Sequence, residues 1–300
     1  MADRKVPKRM FPRAKEDAAV AKTATATPQT VDASYKLAFQ DTDFLLRDDL
    51  RPVRFQLELM KAELMLEEAN IGSTFVFYGS ARIPERTKAE ALVAAAGTDR
   101  QRLIAERQLV KSRYYDEARK LARISSQCGL DQDGKRQFVV CSGGGPSIME
   151  AANRGAADVG QESIGLNIVL PFEQTPNAFV TPHLSFHFHY FALRKMHFLL
   201  RARAVAAFPG GFGTFDELFE LLTLVQTGKM AQLPIFLFGR EFWERVVNFD
   251  ALVEEGVIAQ HDLNLFRFVE TAEEAWDKLN HYYATRDRVH LHRDPPPKAA

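Results

Sequence analysis

Hydrophobic residues along this chain fall into two regimes. Between Ser34 and Asn70 they recur at helical spacing: Phe55, Leu59, Ala62 and Leu66 form one stripe behind Pro52, with Gly72 as the expected stop. From Ser73 onward short unbroken apolar runs take over, the pattern of strands buried on both faces. The segment STFVFYGSAR (73–82) reads as such a strand ending in a glycine turn, and further strands are expected at 137–141, 163–170, 204–208 and 234–238. Helical patterns lie between them, at about 146–159, 191–203, 214–227, 240–255 and 272–283. Strands alternating with helices predict an α/β fold, an open parallel sheet with helices on both faces, preceded by an N-terminal helical extension. Residues 83–136 hold two charged helical segments where one crossover helix would join the first two strands, so a helical insertion after the first strand is expected.

The ends of the chain read differently. Residues 1–33 carry Arg4, Lys5, Lys8, Arg9, Arg13 and Lys15 ahead of the low-complexity run AVAKTATATPQT, a composition that predicts a disordered basic tail. A nucleic-acid-binding arm is the sharper alternative, diluted by Asp3, Glu16 and Asp17. The helical subregion then spans 34–72, the α/β domain 73–285, and a frayed tail 286–300 ends the chain.

Composition narrows the function classes. Lys and Arg total 39 and Asp and Glu total 39, so no global field draws the protein to nucleic acid or to an anionic membrane. The two cysteines, Cys128 and Cys141, are too few for a disulfide framework or a four-cysteine zinc site and fit a reducing, cytoplasmic setting. Neither a membrane span nor a signal-peptide core is legible.

In open parallel sheets ligands bind beyond the carboxyl ends of the strands. Three turns there are glycine-rich: Gly79-Ser80 after the first strand, Gly143-Gly144-Gly145 after the second, and Gly210-Gly211-Phe212-Gly213-Thr214 after the strand at 204–208. The last two lead into helices, whose unpaired N–H groups and positive dipole end suit a phosphate, so a nucleotide is the expected ligand. Tight strand-to-helix turns alone would also explain any one of these runs. Neither G-x-G-x-x-G nor a Walker lysine is present, which counts against dinucleotide binding and triphosphate hydrolysis. His183, His187, His189 and His197 invite a metal reading, but no carboxylate or cysteine completes a ligand set at recognised spacing, and neither a metal nor a cofactor is expected. Cys141, at the end of the second strand, reads as a buried apolar thiol.

The run PGGFGTFDE (209–217) resembles the P-G-G-x-G-T-x-x-E motif of the Lonely Guy (LOG) phosphoribohydrolases. The resemblance extends to Arg194-Lys195 before Met196, to SGGGPSIMEAANRGA and to FVFYGSAR, in family order over about residues 73–245 without the insertion. The chain is also similar to longer bacterial members once labelled possible lysine decarboxylases. It departs from many relatives at Ser147, where they carry glycine, and in FALRK around Arg194. The resemblance implies a Rossmann-like domain, a homodimer or larger assembly, and hydrolysis of the N-glycosidic bond of a nucleoside 5′-monophosphate, of the AMP or cytokinin riboside type, to free base and ribose 5-phosphate.

Such cleavage passes through a ribosyl cation-like state and needs an anion near C1′. Glu217 is the candidate; placed in the first turn of its helix, it is expected to have a lowered pKa. Thr214-x-x-Glu217 is equally a capping-box pattern. Arg194 offers a guanidinium to clamp phosphate or neutralise the base, or else forms a surface ion pair. Arg194 and Glu217 are thus the candidate catalytic pair. Gly79, Ser80, Ser142, Gly143, Gly144, Gly145, Lys195, Gly210, Gly211, Gly213, Thr214 and Glu220 are candidates for substrate contact, with Arg82 and Asp216 behind them. Two competitors remain: a non-catalytic nucleotide-binding module, which would not need Glu217 and Arg194 together, and a pyridoxal phosphate decarboxylase, for which no Schiff-base lysine is marked.

Overall fold

The structure is a computed structural model and describes residues 11–171 and 175–289, without the side chains of 286–289. The chain divides into two compact units, Met1–Met60 and Lys61–Ala300. In the first unit, α1 (Ala14–Ala21) and α2 (Thr42–Leu45) bury no residue. Residues 1–10 of the expected tail lie outside the described residues. Helix α1 stands where no element was expected: AKEDAAVA is rich in strong helix formers, and Glu16 accepts a hydrogen bond from the Arg13 N–H at 2.9 Å. Helix α3 (Arg51–Glu68) carries the expected stripe, of which Ala62 and Leu66 are buried. Its stop is Asn70 and not Gly72: Asn70 turns left-handed (φ 55°), and the Ile71 N–H reaches back to the Leu66 carbonyl at 3.1 Å.

The second unit is built on seven parallel strands: β1 (Thr74–Tyr78), β2 (Val139–Ser142), β3 (Ile164–Ile168), β4 (Ser185–Phe188), β5 (Ala202–Ala207), β6 (Ile235–Phe238) and β7 (Arg267–Val269), in the order β4-β3-β2-β1-β5-β6-β7. β1 pairs on one side with β2 (Phe75 opposite Val140) and on the other with β5 (Phe75 opposite Ala204). All five β1 residues are buried, because both neighbours are strands and both faces carry helices. The fold is thus the Rossmann-like α/β architecture that the alternation predicts. β7 was not legible: three residues give too short a run for either periodicity, and it gains its place only by pairing with β6.

Three helices join β1 to β2: α4 (Arg86–Ala94), α5 (Asp99–Lys111) and α6 (Arg113–Ser125). The insertion is therefore helical, with one segment more than its charge pattern suggested. α6 is the crossover, its Tyr115, Ala118, Leu121 and Ala122 buried against α7 (Ile148–Ala157), whereas α4 and α5 bury one alanine each. The remaining helices are α8 (Phe191–Leu200), α9 (Phe212–Gln226), α10 (Arg240–Val246), α11 (Phe249–Glu254) and α12 (Ala272–Val289). The single helix expected over 240–255 is broken because Val247 is extended and Asn248 caps a new helix, accepting from the Ala251 N–H at 3.1 Å. Helix α12 runs on to Val289, past the point where fraying was expected; residues 290–300 lie outside the described residues.

Candidate active site

Between β1 and β5 the strand order reverses, and the turns leaving these strands are tied together there. The Phe208 N–H donates to the Tyr78 carbonyl (2.8 Å) and the Ser80 N–H to the Pro209 carbonyl (3.2 Å). The Ile148 N–H at the start of α7 donates to the Ser80 carbonyl (3.3 Å), so Ser80 joins all three glycine turns. A side chain at Gly79 would collide with Ile148, and one at Gly210 with Thr214, which is why the turns close so tightly. Above them lies an open cleft of about 850 Å³. Of the residues predicted from sequence, Gly79, Ser80, Arg82, Arg194, Gly211, Gly213, Thr214 and Glu217 wall it.

Arg194 projects from α8 and Glu217 from α9, and their side chains meet at the cleft with 3.5 Å between guanidinium and carboxylate, each only 12% exposed. Arg194 is held from two further sides: its Nε donates to the Leu166 carbonyl (2.8 Å), and its guanidinium lies 5.1 Å from the Phe198 ring centre. Gly143 makes room for it, since a Cβ there would stand 2.7 Å from the guanidinium. The surface ion-pair reading of Arg194 is thereby excluded.

Two expectations for Glu217 are corrected. Helix α9 begins at Phe212 with Gly211 as its N-cap and no side-chain cap, so Glu217 sits in the second turn, and Thr214 and Glu217 form no capping box. Nor is its pKa lowered. Burial raises it to about 7, against the pull of Arg194, because so far into the helix the dipole offers little and the low-dielectric surroundings oppose charge.

The other candidates sit off the cleft wall. Ser142 is wholly buried; its hydroxyl donates to the Asn153 side-chain oxygen (2.7 Å) and accepts from the Gly144 N–H (3.0 Å). Asn177 completes this network, donating to the Gly144 (3.1 Å) and Gly145 (3.0 Å) carbonyls and so pinning the second glycine turn. With the Gly144 and Ile148 amides so used, the start of α9 is the freer of the two expected anion sites. Ser147 takes φ 64°, ψ −120°, a conformation natural to glycine, which explains why a glycine suits this position. Lys195 pairs with Asp216 (3.1 Å) and Glu220 (3.2 Å) in an ion cluster beside the cleft. Burial works against its charge, yet these two carboxylates raise its pKa, the opposite of what a Schiff-base lysine needs.

Sequence reasoning missed five wall residues: Ala81, Met149, Phe212, Phe215 and Val246. Phe212 and Phe215 stand at the variable positions of the nine-residue motif, the one available signal; Val246 had none. The histidines are dispersed: His187 faces out from β4 between buried Phe186 and Phe188, His183 lies 3.3 Å from Glu162, and His197 is buried with its ring 5.2 Å from that of Phe188. Cys141 is buried, and burial pushes its thiol well up, beyond ionisation at neutral pH. Among the described residues no helix is long and apolar enough to cross a membrane.

Fold and cleft together define an open α/β protein whose cleft lies at the topological switch point, with a carboxylate and a guanidinium facing each other in it. A family model described as "Possible lysine decarboxylase" matches residues 149–279. The chain is 29% identical over 187 residues to a probable cytokinin riboside 5′-monophosphate phosphoribohydrolase, LOGL3, of Oryza sativa subsp. japonica, covering 60% of this chain and 82% of that one. It is 30% identical over 178 residues to the cytokinin riboside 5′-monophosphate phosphoribohydrolase LOG of the same plant (57% and 68% covered). To the Arabidopsis thaliana enzyme LOG3 it is 28% identical over 191 residues (57% and 87%). The chain belongs to the LOG family of phosphoribohydrolases.

Proposed function

We propose that this protein hydrolyses the N-glycosidic bond of a nucleoside 5′-monophosphate, AMP or a cytokinin riboside monophosphate, releasing free base and ribose 5-phosphate. The observation that carries the reading is the buried Glu217 carboxylate facing Arg194 in a cleft beside the uncapped start of α9. Family membership supports hydrolase chemistry on a nucleotide.

The 5′-phosphate is assigned to the amides at the start of α9, which favour an anion through their unpaired N–H groups and the helix dipole. As the C1′–N bond breaks, its electron pair leaves with the base, and ionised Glu217 stabilises the positive charge on the sugar. Water then adds to C1′ and gives its proton to Glu217, which passes a proton to the departing base. A pKa of about 7 suits a group that must accept and donate at neutral pH. Arg194 holds the carboxylate in place and favours its charged form.

The test is release of free base from a panel of nucleoside 5′-monophosphates and their nucleosides. AMP should be cleaved far faster than adenosine, because phosphate binding positions the sugar; equal rates would remove the phosphate from the mechanism. Turnover should rise with pH through about 7 as Glu217 ionises. Glu217→Gln should still bind AMP yet lose roughly a hundredfold or more in kcat, and Arg194→Ala should be similarly impaired. A Glu217→Gln enzyme with near-normal turnover would sink the assignment.

A further inference from the structure

The helical insertion plays no part in the chemistry above, yet it walls a second cavity of about 420 Å³ against α10. Leu103, Arg107, Val110 and Lys111 lie at helical spacing along one face of α5, and Phe242 and Arg245 of α10 look into the same space. Arg107 and Lys111 stand one turn apart on that face, a like-charge pair that destabilises a helix unless something offsets it. Burial, followed by Arg107 and Arg245, pushes the Lys111 pKa down, while Glu241 pulls the other way without prevailing. Arg113 at the cavity's end is differently placed, since Glu270 lies 3.1 Å from its guanidinium. Glu106 and Glu241 also line the cavity, but Arg107, Lys111 and Arg245 outnumber them, so a net positive cluster adjoins an apolar floor of Leu103, Val110 and Phe242.

We propose that this cavity is a second ligand site, taking a small organic anion whose phosphate or carboxylate is held by Arg107, Lys111 and Arg245 and whose apolar body lies on Leu103, Val110 and Phe242. Guanidinium groups suit either head group, and the combination of apolar lining with a few convergent polar groups is that of a small-molecule site.

Calorimetric titration of the full chain with phenyl phosphate and with phenylacetate tests this, inorganic phosphate and phenol serving as the separated halves. One or both anions should bind at least tenfold more tightly than either half, and the comparison of the two shows which head group is preferred. Arg107→Glu/Arg245→Glu should weaken that binding at least tenfold while its melting profile and nucleotide turnover stay as in the parent. Should the charge reversals impair folding, Arg107→Gln/Arg245→Gln gives the same comparison. Unchanged binding in the variants would overturn the proposal, as would no binding at all. A larger sedimenting species that the charge reversals dissociate, with no anion bound, would also overturn it and make this face a contact between copies. Binding is read without turnover, so the outcome is independent of the hydrolase reading.

Discussion

The burial that suits Glu217 to its proposed chemistry costs the fold stability once the group ionises. Its folded-state pKa of about 7 lies above the ordinary 4.5, so the folded protein holds this proton more tightly than the unfolded chain. The resulting stabilisation is fully present below pH 4.5, is lost as pH rises towards 7, and leaves a constant deficit above that, on the order of 3 kcal/mol. Glu217→Gln should therefore be more stable than the parent at pH 8, by up to about 3 kcal/mol, and close to it at pH 4.5. Urea unfolding at the two pH values checks this; a variant less stable at pH 8 would show that the ionised carboxylate is better compensated than its burial implies. That Arg194 and Glu217 would meet was legible because both lie in segments that resemble the family pattern. The direction of the Glu217 pKa shift was not, since it depends on where α9 starts and on what covers it, neither of which a local pattern records. Ser142 misled for a similar reason: a hydroxyl at a strand's carboxyl end looks outward in sequence, but Asn153 and Asn177 turn it into the fabric of the turn.

Among the elements, α6 and α7 pack tightly where Gly155 faces Arg119 and Ala122. A methyl group at Gly155 of α7 would fall inside the contact distance of the Arg119 carbonyl oxygen and close upon the Ala122 side chain. Backbone cannot yield as a side-chain tip can, so Gly155→Ala should cost about 1–3 kcal/mol by overpacking, read as a lowered urea midpoint. A neutral result would mean that α6 slides freely on the sheet. The sequence shows Gly155 only as a helix-weakening residue, because the reason for it lies on a helix more than thirty positions away. Elements whose pattern closes on itself, such as β1 and α9, were readable; β7 and the break between α10 and α11 depend on neighbours and side-chain caps supplied by the fold.

For the whole molecule we expect self-association. Phe191, Met196 and Leu200 remain exposed on α8, the helix that carries Arg194, and Phe212 in the cleft wall is 96% exposed, apolar surface that a partner copy would cover. Sedimentation should give at least twice the chain mass at micromolar concentration, and Phe191→Asp/Met196→Asp should return it to one; a parent protein that is already monomeric would refute this. The same strand order that places the cleft also governs how the protein is made. β1, buried along its whole length, leaves the ribosome before the other strands, yet its neighbours begin only at Val139 and Ala202. At about 5–20 residues per second, the wait for β5 is on the order of ten seconds. Throughout it TFVFY has an open edge suited to pairing with any other strand. During synthesis, then, the centre of the sheet is a dependent of whatever nascent-chain chaperone shields it, and only the arrival of the second half of the domain makes it self-sufficient.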